Sequence, residues 1–105
     1  MRLVLLVIVT LACAPAFAQD ARSLRRGEAL LSDHCSQCHA VGRTGASPRA
    51  DAPAFRTLGR KYAVETLEEA LAEGLISGHP DMPEFSFDAE DVGAIIAYLR
   101  SIQER

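Results

Sequence analysis

The feature that most constrains this chain is the run Cys35-Ser36-Gln37-Cys38-His39, which has the form C-x-x-C-H. Two thiols at this spacing lie on about one helical turn, so each can add to one of the two vinyl groups of a haem. The histidine that follows is then held beneath the macrocycle, with a ring nitrogen directed at the iron. The pattern predicts one covalently bound haem c, attached through Cys35 and Cys38, with His39 as the proximal iron ligand.

Other sites also use closely spaced cysteines, and the sequence argues against them. A thioredoxin-like redox pair is expected after a strand in a βαβ unit, and no strand pattern precedes Cys35. A structural zinc site needs a second pair of ligands, which the chain lacks. In an oxidising compartment the two thiols can join as a disulfide, but the adjacent His39 favours haem attachment.

The amino-terminal segment is typical of a secretory signal peptide. A positive start is followed by an apolar run from Leu3 to Ala14, and Ala16-Phe17-Ala18 offers a small-residue cleavage site. The run is shorter than the roughly 20 apolar residues that a transmembrane helix needs. We therefore expect a cleaved leader at residues 1–18, one domain at residues 19–105, no stable membrane span, and a periplasmic location.

A third cysteine, Cys13, lies inside this leader. We interpret it as an apolar residue that is removed with the leader. Lipid attachment at Cys13 is the alternative, but Thr10 stands where a leucine is most usual, and Ala16-Phe17-Ala18 is a competing cleavage site.

The remaining domain is small and poor in large side chains, with no tryptophan in the whole chain. A domain of this size buries only about 60–65% of the surface of its unfolded chain. A bound haem supplies core volume and also acts as a covalent staple, which small domains need.

The apolar periodicity predicts an all-α fold. The first helix is expected from Ala21 to His34, with Gly27 on its apolar stripe, where a glycine allows another helix to approach closely. A second helix is expected from Val64 to Glu73, ended by Gly74. The last helix follows an N-cap at Asp88. Its apolar stripe consists of Val92, Ile95, Ile96, Leu99 and Ile102.

Two segments between these helices are predicted to be irregular loops. Residues 40–54 are rich in glycine, proline and small side chains, and the length of this loop indicates that it wraps around something. Residues 75–87 contain Met82 between Pro80 and Pro83, so the methionine lies in a stiff segment.

The second axial ligand of the iron is not specified by the C-x-x-C-H motif. We favour Met82, because a thioether in a proline-bounded loop can be held without helix geometry, and its ligation raises the reduction potential. The other candidates for this ligand are His79, His34 and Lys61. Ligation by His79 would give a bis-histidine centre. His34 is expected on the proximal side of the haem, and Lys61 belongs to a charged run that is expected to be solvated. An open sixth position is the remaining alternative.

Together these residues resemble the class I c-type cytochromes, which are small monohaem electron carriers. The resemblance extends over about residues 21–103, and it implies the cytochrome c fold, in which the first and last helices cross and loops wrap around one haem. It rests on Gly27, Cys35-x-x-Cys38-His39, Pro53, Met82-Pro83 and Ala97-Tyr98-Leu99.

The resemblance also implies specific contacts. Gly27 would lie under Ile95 and Tyr98, and the carbonyl oxygen of Pro53 would accept a hydrogen bond from the free nitrogen of His39. Met82 would be the distal iron ligand. Three features depart from the family: Leu31 replaces a usual aromatic residue, the lysine ring of mitochondrial cytochromes is absent, and residues 40–51 match nothing recognisable. The haem-propionate partners therefore stay open among Arg43, Arg49, Arg56, Arg60 and Tyr62.

These features predict a monomeric electron carrier that has no catalytic residues and whose partners are redox proteins. A net charge of −3 and export disfavour binding to nucleic acid. Basic residues dominate up to Lys61 and acidic residues dominate after it, a distribution that either orients a redox partner or reflects two solvated faces. Two alternatives stay open: a dedicated subunit of a periplasmic dehydrogenase or oxidase, and a ligand-binding or peroxidatic haem protein in which Met82 is labile.

Overall fold

The computed structural model describes the backbone of residues 16–75 and 80–104 and, within these ranges, the side chains from residue 20 onward. Within these ranges the chain forms helices and no strand, so the predicted all-α class is confirmed. No helix there is both long enough and apolar enough to cross a membrane. The elements are α1 (Ala16–Cys35), the 3₁₀ helices η1 (Phe55–Arg60) and η2 (Val64–Leu67), α2 (Glu68–Glu73) and α3 (Ala89–Ile102).

Helix α1 is longer than the sequence predicts. It begins at Ala16 rather than Ala21 and ends at Cys35, one residue beyond the expected end. The helix thus includes Ala16–Ala18, the expected cleavage site, and processing of the leader stays a prediction. Residues 1–15, including Cys13, lie outside the described residues.

Helices α1 and α3 pack against each other, and Gly27 lies at their closest approach. A Cβ atom added at Gly27 would lie 2.9 Å from the Cβ atom of Tyr98 and would overlap the backbone carbonyl group of Ala94. Gly27 was expected to lie under Ile95 and Tyr98. Its contact with Tyr98 is present, but its other nearest neighbour is Ala94, one residue before Ile95. The absence of a side chain at Gly27 therefore permits the crossing.

The predicted second helix is present but is built in two parts. Its first turn, Val64–Leu67, is the 3₁₀ helix η2, and α2 continues to Glu73. Gly74 follows with φ of 123°, a conformation that glycine adopts without the strain of a side chain. Gly74 thus ends the helix, as the sequence predicts.

Helix α3 begins as the sequence predicts. The Asp88 side chain accepts a hydrogen bond from the backbone N–H of Asp91, at 2.9 Å, which satisfies one free donor of the first turn. The five predicted stripe residues of α3 are all buried, and Ile95 has no exposed surface. They form one core with apolar side chains of the other helices.

The 3₁₀ helix η1, which contains Phe55 and Leu58, is absent from the sequence prediction. Both side chains are buried in the core. Gln103 holds η1 against the end of α3: its side-chain amide donates to the carbonyl oxygens of Phe55 and Leu99, both at 2.8 Å, and accepts from the N–H of Gly59 at 2.7 Å. Tertiary contacts of this kind stabilise a segment too short to be a helix by itself.

Candidate functional site

A cavity of about 410 Å³ opens between the helices and receives side chains from all five helices that the structure describes. Most of its wall is apolar, as expected of a site that excludes water from a bound group. The segment that precedes α3 and the loop that follows α1 complete it. The apolar side chains include Leu31, Phe55, Leu58, Leu71, Ile95 and Leu99.

The C-x-x-C-H residues enter this cavity from the end of α1. The backbone N–H groups of Cys38 and His39 both donate to the carbonyl oxygen of Cys35, at 3.2 and 2.9 Å. The chain therefore makes one further tight turn after the helix, and Cys35, Cys38 and His39 all line the same cavity. Both cysteines are free thiols, and burial, with the adjacent Cys38, raises the pKa of Cys35 to about 11.

The imidazole of His39 is oriented by two contacts. Its Nδ1 lies 2.7 Å from the carbonyl oxygen of Pro53; since a carbonyl oxygen only accepts, Nδ1 carries the proton and donates. The Nε2 atom is then the nitrogen with a free lone pair. The ring of Phe55 stacks on the imidazole, with centroids 4.6 Å apart and an interplanar angle of 26°.

The loop of residues 40–54 is fixed so that Pro53 reaches His39. The N–H of Phe55 donates to the carbonyl oxygen of Ala40 at 3.0 Å, and the N–H of Ala40 donates to the hydroxyl of Ser47 at 3.0 Å. These bonds bring the two ends of the loop together. The sequence did not indicate Phe55 as a site residue; an aromatic residue two positions after Pro53 was the available signal.

Met82 also lines the cavity and is half-buried. Backbone hydrogen bonds join the segment that carries it to α2 and to the residues just after α2: Phe87 N–H donates to Leu71 O at 2.8 Å, and Leu75 N–H donates to Phe85 O at 3.0 Å. The four named site residues Cys35, Cys38, His39 and Met82 therefore share one cavity, although Met82 lies more than forty positions along the chain from the motif.

The other candidate iron ligands have different surroundings. The His34 ring, at the edge of the cavity, makes edge-to-face contacts with Phe85 and Phe87, at centroid distances of 5.4 and 5.5 Å. Lys61 is exposed and does not line the cavity. His79 lies outside the described residues.

The five candidate propionate partners fall into two groups. Arg49 and Tyr62 line the cavity, whereas Arg56 and Arg60 both form ion pairs with Glu104 at the carboxyl end of the chain. Arg43 is exposed and does not line the cavity. The Arg49 guanidinium bonds to the carboxylates of Asp51 and Asp81, and these two bonds raise its pKa.

The donor set of this cavity fits a haem c. One apolar cavity is lined by all the groups that a haem c needs. These are two free thiols for thioether bonds, an imidazole nitrogen for the iron and a thioether sulfur. These are the groups by which haem is held in c-type cytochromes.

A protein-family model described as cytochrome c oxidase, cbb3-type, subunit III, matches residues 22–99 of the chain. The chain belongs to this family of c-type cytochrome domains. The match confirms the resemblance, and with it the cytochrome c fold, haem binding and electron transport as the function of the family.

Individual relatives are also cytochromes. The chain is 32% identical over 99 residues to cytochrome c-552 of Bradyrhizobium diazoefficiens, covering 94% of this chain and 90% of that protein. It is 33% identical over 91 residues to cytochrome c6 of Picosynechococcus sp., covering 81% and 75%.

A third relative is much longer than this cytochrome. The chain is 37% identical over 84 residues to cytochrome c oxidase subunit 2 of Alkalihalophilus pseudofirmus, but the match covers 66% of this chain and 22% of that protein. No solved structure matches the chain significantly.

Proposed function

We propose that this cytochrome carries single electrons between redox partner proteins in the periplasm, by means of one haem c. Cys35 and Cys38 would form the thioether bonds, His39 would be the proximal iron ligand and Met82 the distal ligand. The observation that carries this proposal is that all four side chains line a single apolar cavity.

The chain's own residues account for how the group would be held. When bound, a haem c supplies a one-electron Fe(III)/Fe(II) couple. Pro53 holds the proton on Nδ1 of His39, which leaves Nε2 for coordination and strengthens it as a ligand. Phe55 stacks on the imidazole and restricts its rotation, and the apolar wall would lower the polarity around a bound iron.

A role as carrier rather than enzyme follows from the same ligand set. If His39 and Met82 both held the iron, a substrate would have no place to bind it. The chemistry that a bound haem would then supply is outer-sphere electron transfer, which needs no general acid, base or nucleophile.

An absorption spectrum of the protein produced with a haem-attachment system tests the site. We expect a haemochrome typical of two thioether bonds and a far-red sulfur-to-iron band in the oxidised form. Met82→Ala should abolish this band, whereas His34→Ala, the matched control at the cavity edge, should retain it. A protein without covalent haem would contradict the proposal, and an unchanged spectrum in Met82→Ala would contradict the role of Met82.

The location can be tested separately from the haem. We propose that export removes residues 1–18, so the mass of the protein recovered from the periplasm should correspond to a chain that begins at Gln19. A lipid-modified chain that begins at Cys13 and stays with the membrane fraction would contradict this.

A second candidate function is a dedicated subunit of an oxidase. The description of the matching family and the relative that is an oxidase subunit favour it. A tagged chain purified from the native cell distinguishes the two: a free carrier elutes as a monomer, whereas a subunit remains in a stable complex with oxidase polypeptides.

A further inference from the structure

We propose that Arg49 is a positioning residue for Met82. Its ion pair with Asp81, the residue directly before Met82, holds this segment at the cavity and limits how readily Met82 leaves the iron. The inference rests on the proposed role of Met82 as the distal ligand.

Arg49 is anchored at its backbone to the haem-attachment motif. Its N–H donates to the carbonyl oxygen of Cys38 at 3.1 Å, and its own carbonyl oxygen accepts from the N–H of Ala52 at 3.1 Å. The base of the side chain is therefore fixed relative to the residues proposed to hold the haem.

The guanidinium of Arg49 joins two segments of the chain. Its Nε donates to Oδ1 of Asp51 within the same loop at 2.7 Å, and its Nη2 donates to Oδ2 of Asp81 at 2.7 Å. The bond to Asp51 orients the planar group. The other nitrogen is then directed at the Met82 segment, and Arg49, Asp81 and Met82 all line the cavity.

The segment around Met82 has few other attachments in the described part of the chain. Pro83 has no N–H to donate, and the next hydrogen bond along the segment is the one accepted by the carbonyl oxygen of Phe85. The pair with Asp81 is therefore the attachment nearest to Met82 on its amino-terminal side.

The effect of the pair is expected to be modest because the pair is accessible to water. The side chains of Arg49 and Asp81 are 37% and 62% exposed. An exposed ion pair changes an equilibrium constant by about two- to fivefold, and salt weakens such a pair. An external ligand binds the iron only after Met82 has left, so its apparent affinity rises in proportion to the open population.

The test uses the oxidised full-length cytochrome with its haem attached. Imidazole is titrated, and loss of the sulfur-to-iron band reports displacement of Met82. We expect Arg49→Gln and Asp81→Asn each to raise the apparent imidazole affinity about two- to fivefold. The double variant should equal either single variant, since both remove one interaction. Arg49→Lys, which keeps the charge, should show a smaller rise.

A matched control removes an ion pair of the same length far from the motif. Arg100 donates to Glu65 at 2.7 Å between α3 and η2, and neither side chain lines the cavity. Arg100→Gln should leave the imidazole affinity unchanged. High salt should raise the affinity of the unaltered protein toward that of Asp81→Asn, with little effect on that variant.

Two results would overturn the inference. One is an unchanged affinity in Asp81→Asn; the other is additive effects of Arg49→Gln and Asp81→Asn, which would show that Arg49 acts through another group. Hydrogen exchange of residues 80–87 gives a second readout, with faster exchange expected in both single variants. Failure of the proposed function is distinguishable, because the unaltered protein would then lack the sulfur-to-iron band.

Discussion

The hydroxyl of Tyr98 on α3 donates a 2.9 Å hydrogen bond to the backbone carbonyl oxygen of Val41. Val41 lies two residues after His39, and both Tyr98 and Val41 are buried. The Cβ atom of Tyr98 also faces Gly27 at the helix crossing. One side chain thus joins the packing of the two long helices to the loop that follows the C-x-x-C-H motif.

Removing this hydroxyl should destabilise the cytochrome. Tyr98→Phe keeps the ring but leaves a buried carbonyl oxygen without this donor, at an expected cost of about 1–2 kcal/mol in the free energy of unfolding. Denaturant unfolding of the haem-containing protein measures this cost. An unchanged free energy of unfolding in Tyr98→Phe would contradict the assignment.

Tyr98 should also make the fold sensitive to alkaline pH. Burial, with a smaller contribution from Glu28, raises the pKa of Tyr98 above its usual value, and Arg43 opposes the shift. The folded state then keeps a proton that the unfolded chain loses above about pH 10, so stability is fully present below that pH and falls as pH rises.

Unfolding measured from about pH 9 to pH 11 tests this dependence. The free energy of unfolding should fall more steeply in the unaltered protein than in Tyr98→Phe, which has no group to ionise at this position. Parallel pH profiles would show that the hydroxyl ionises equally easily in both states.

Gly27 should tolerate no side chain. In an isolated helix, Gly→Ala stabilises by about 1 kcal/mol, but here the new Cβ atom would lie 2.9 Å from the Cβ atom of Tyr98 and would overlap the backbone of Ala94. We expect Gly27→Ala to lower the free energy of unfolding by about 1–3 kcal/mol, since overpacking forces the helices apart.

Gly93 provides the matched control in α3. A Cβ atom there would meet nothing within 4 Å. Gly93→Ala should therefore raise the free energy of unfolding by about 0.5–1 kcal/mol, the gain in helix propensity alone. The same sign for both substitutions in thermal or denaturant unfolding would refute a specific crossing at Gly27.

Gln103 should be more important for stability than a residue near the end of a chain usually is. Its amide makes three hydrogen bonds that hold η1 against α3. Gln103→Ala should cost about 1–3 kcal/mol in the free energy of unfolding, because partly buried groups lose their partners. Gln103→Glu removes the two donated bonds and places a carboxylate against the carbonyl oxygens of Phe55 and Leu99, so its loss should be at least as large as that of Gln103→Ala. No loss in either variant would show that η1 does not depend on these bonds.

Much of the fold was predictable because its determinants are local in the sequence. The apolar stripe and the Asp88 cap specify α3, and Gly74 specifies the end of the second helix. The 3₁₀ helix η1 was not predictable, since its residues carry no helical periodicity. Its backbone is held by Gln103, more than forty positions away in the sequence.

The candidate site likewise has some features that follow from the local sequence and others that depend on tertiary contacts. By itself the sequence predicted the haem-attachment chemistry, because Cys35, Cys38 and His39 lie within five residues and their spacing is set by a single turn of backbone. Only the tertiary structure decided that Phe55 stacks on the imidazole and that Arg49 bonds to Asp81. Those pairs come from separate segments, and the packing of the helices around one cavity brings them together.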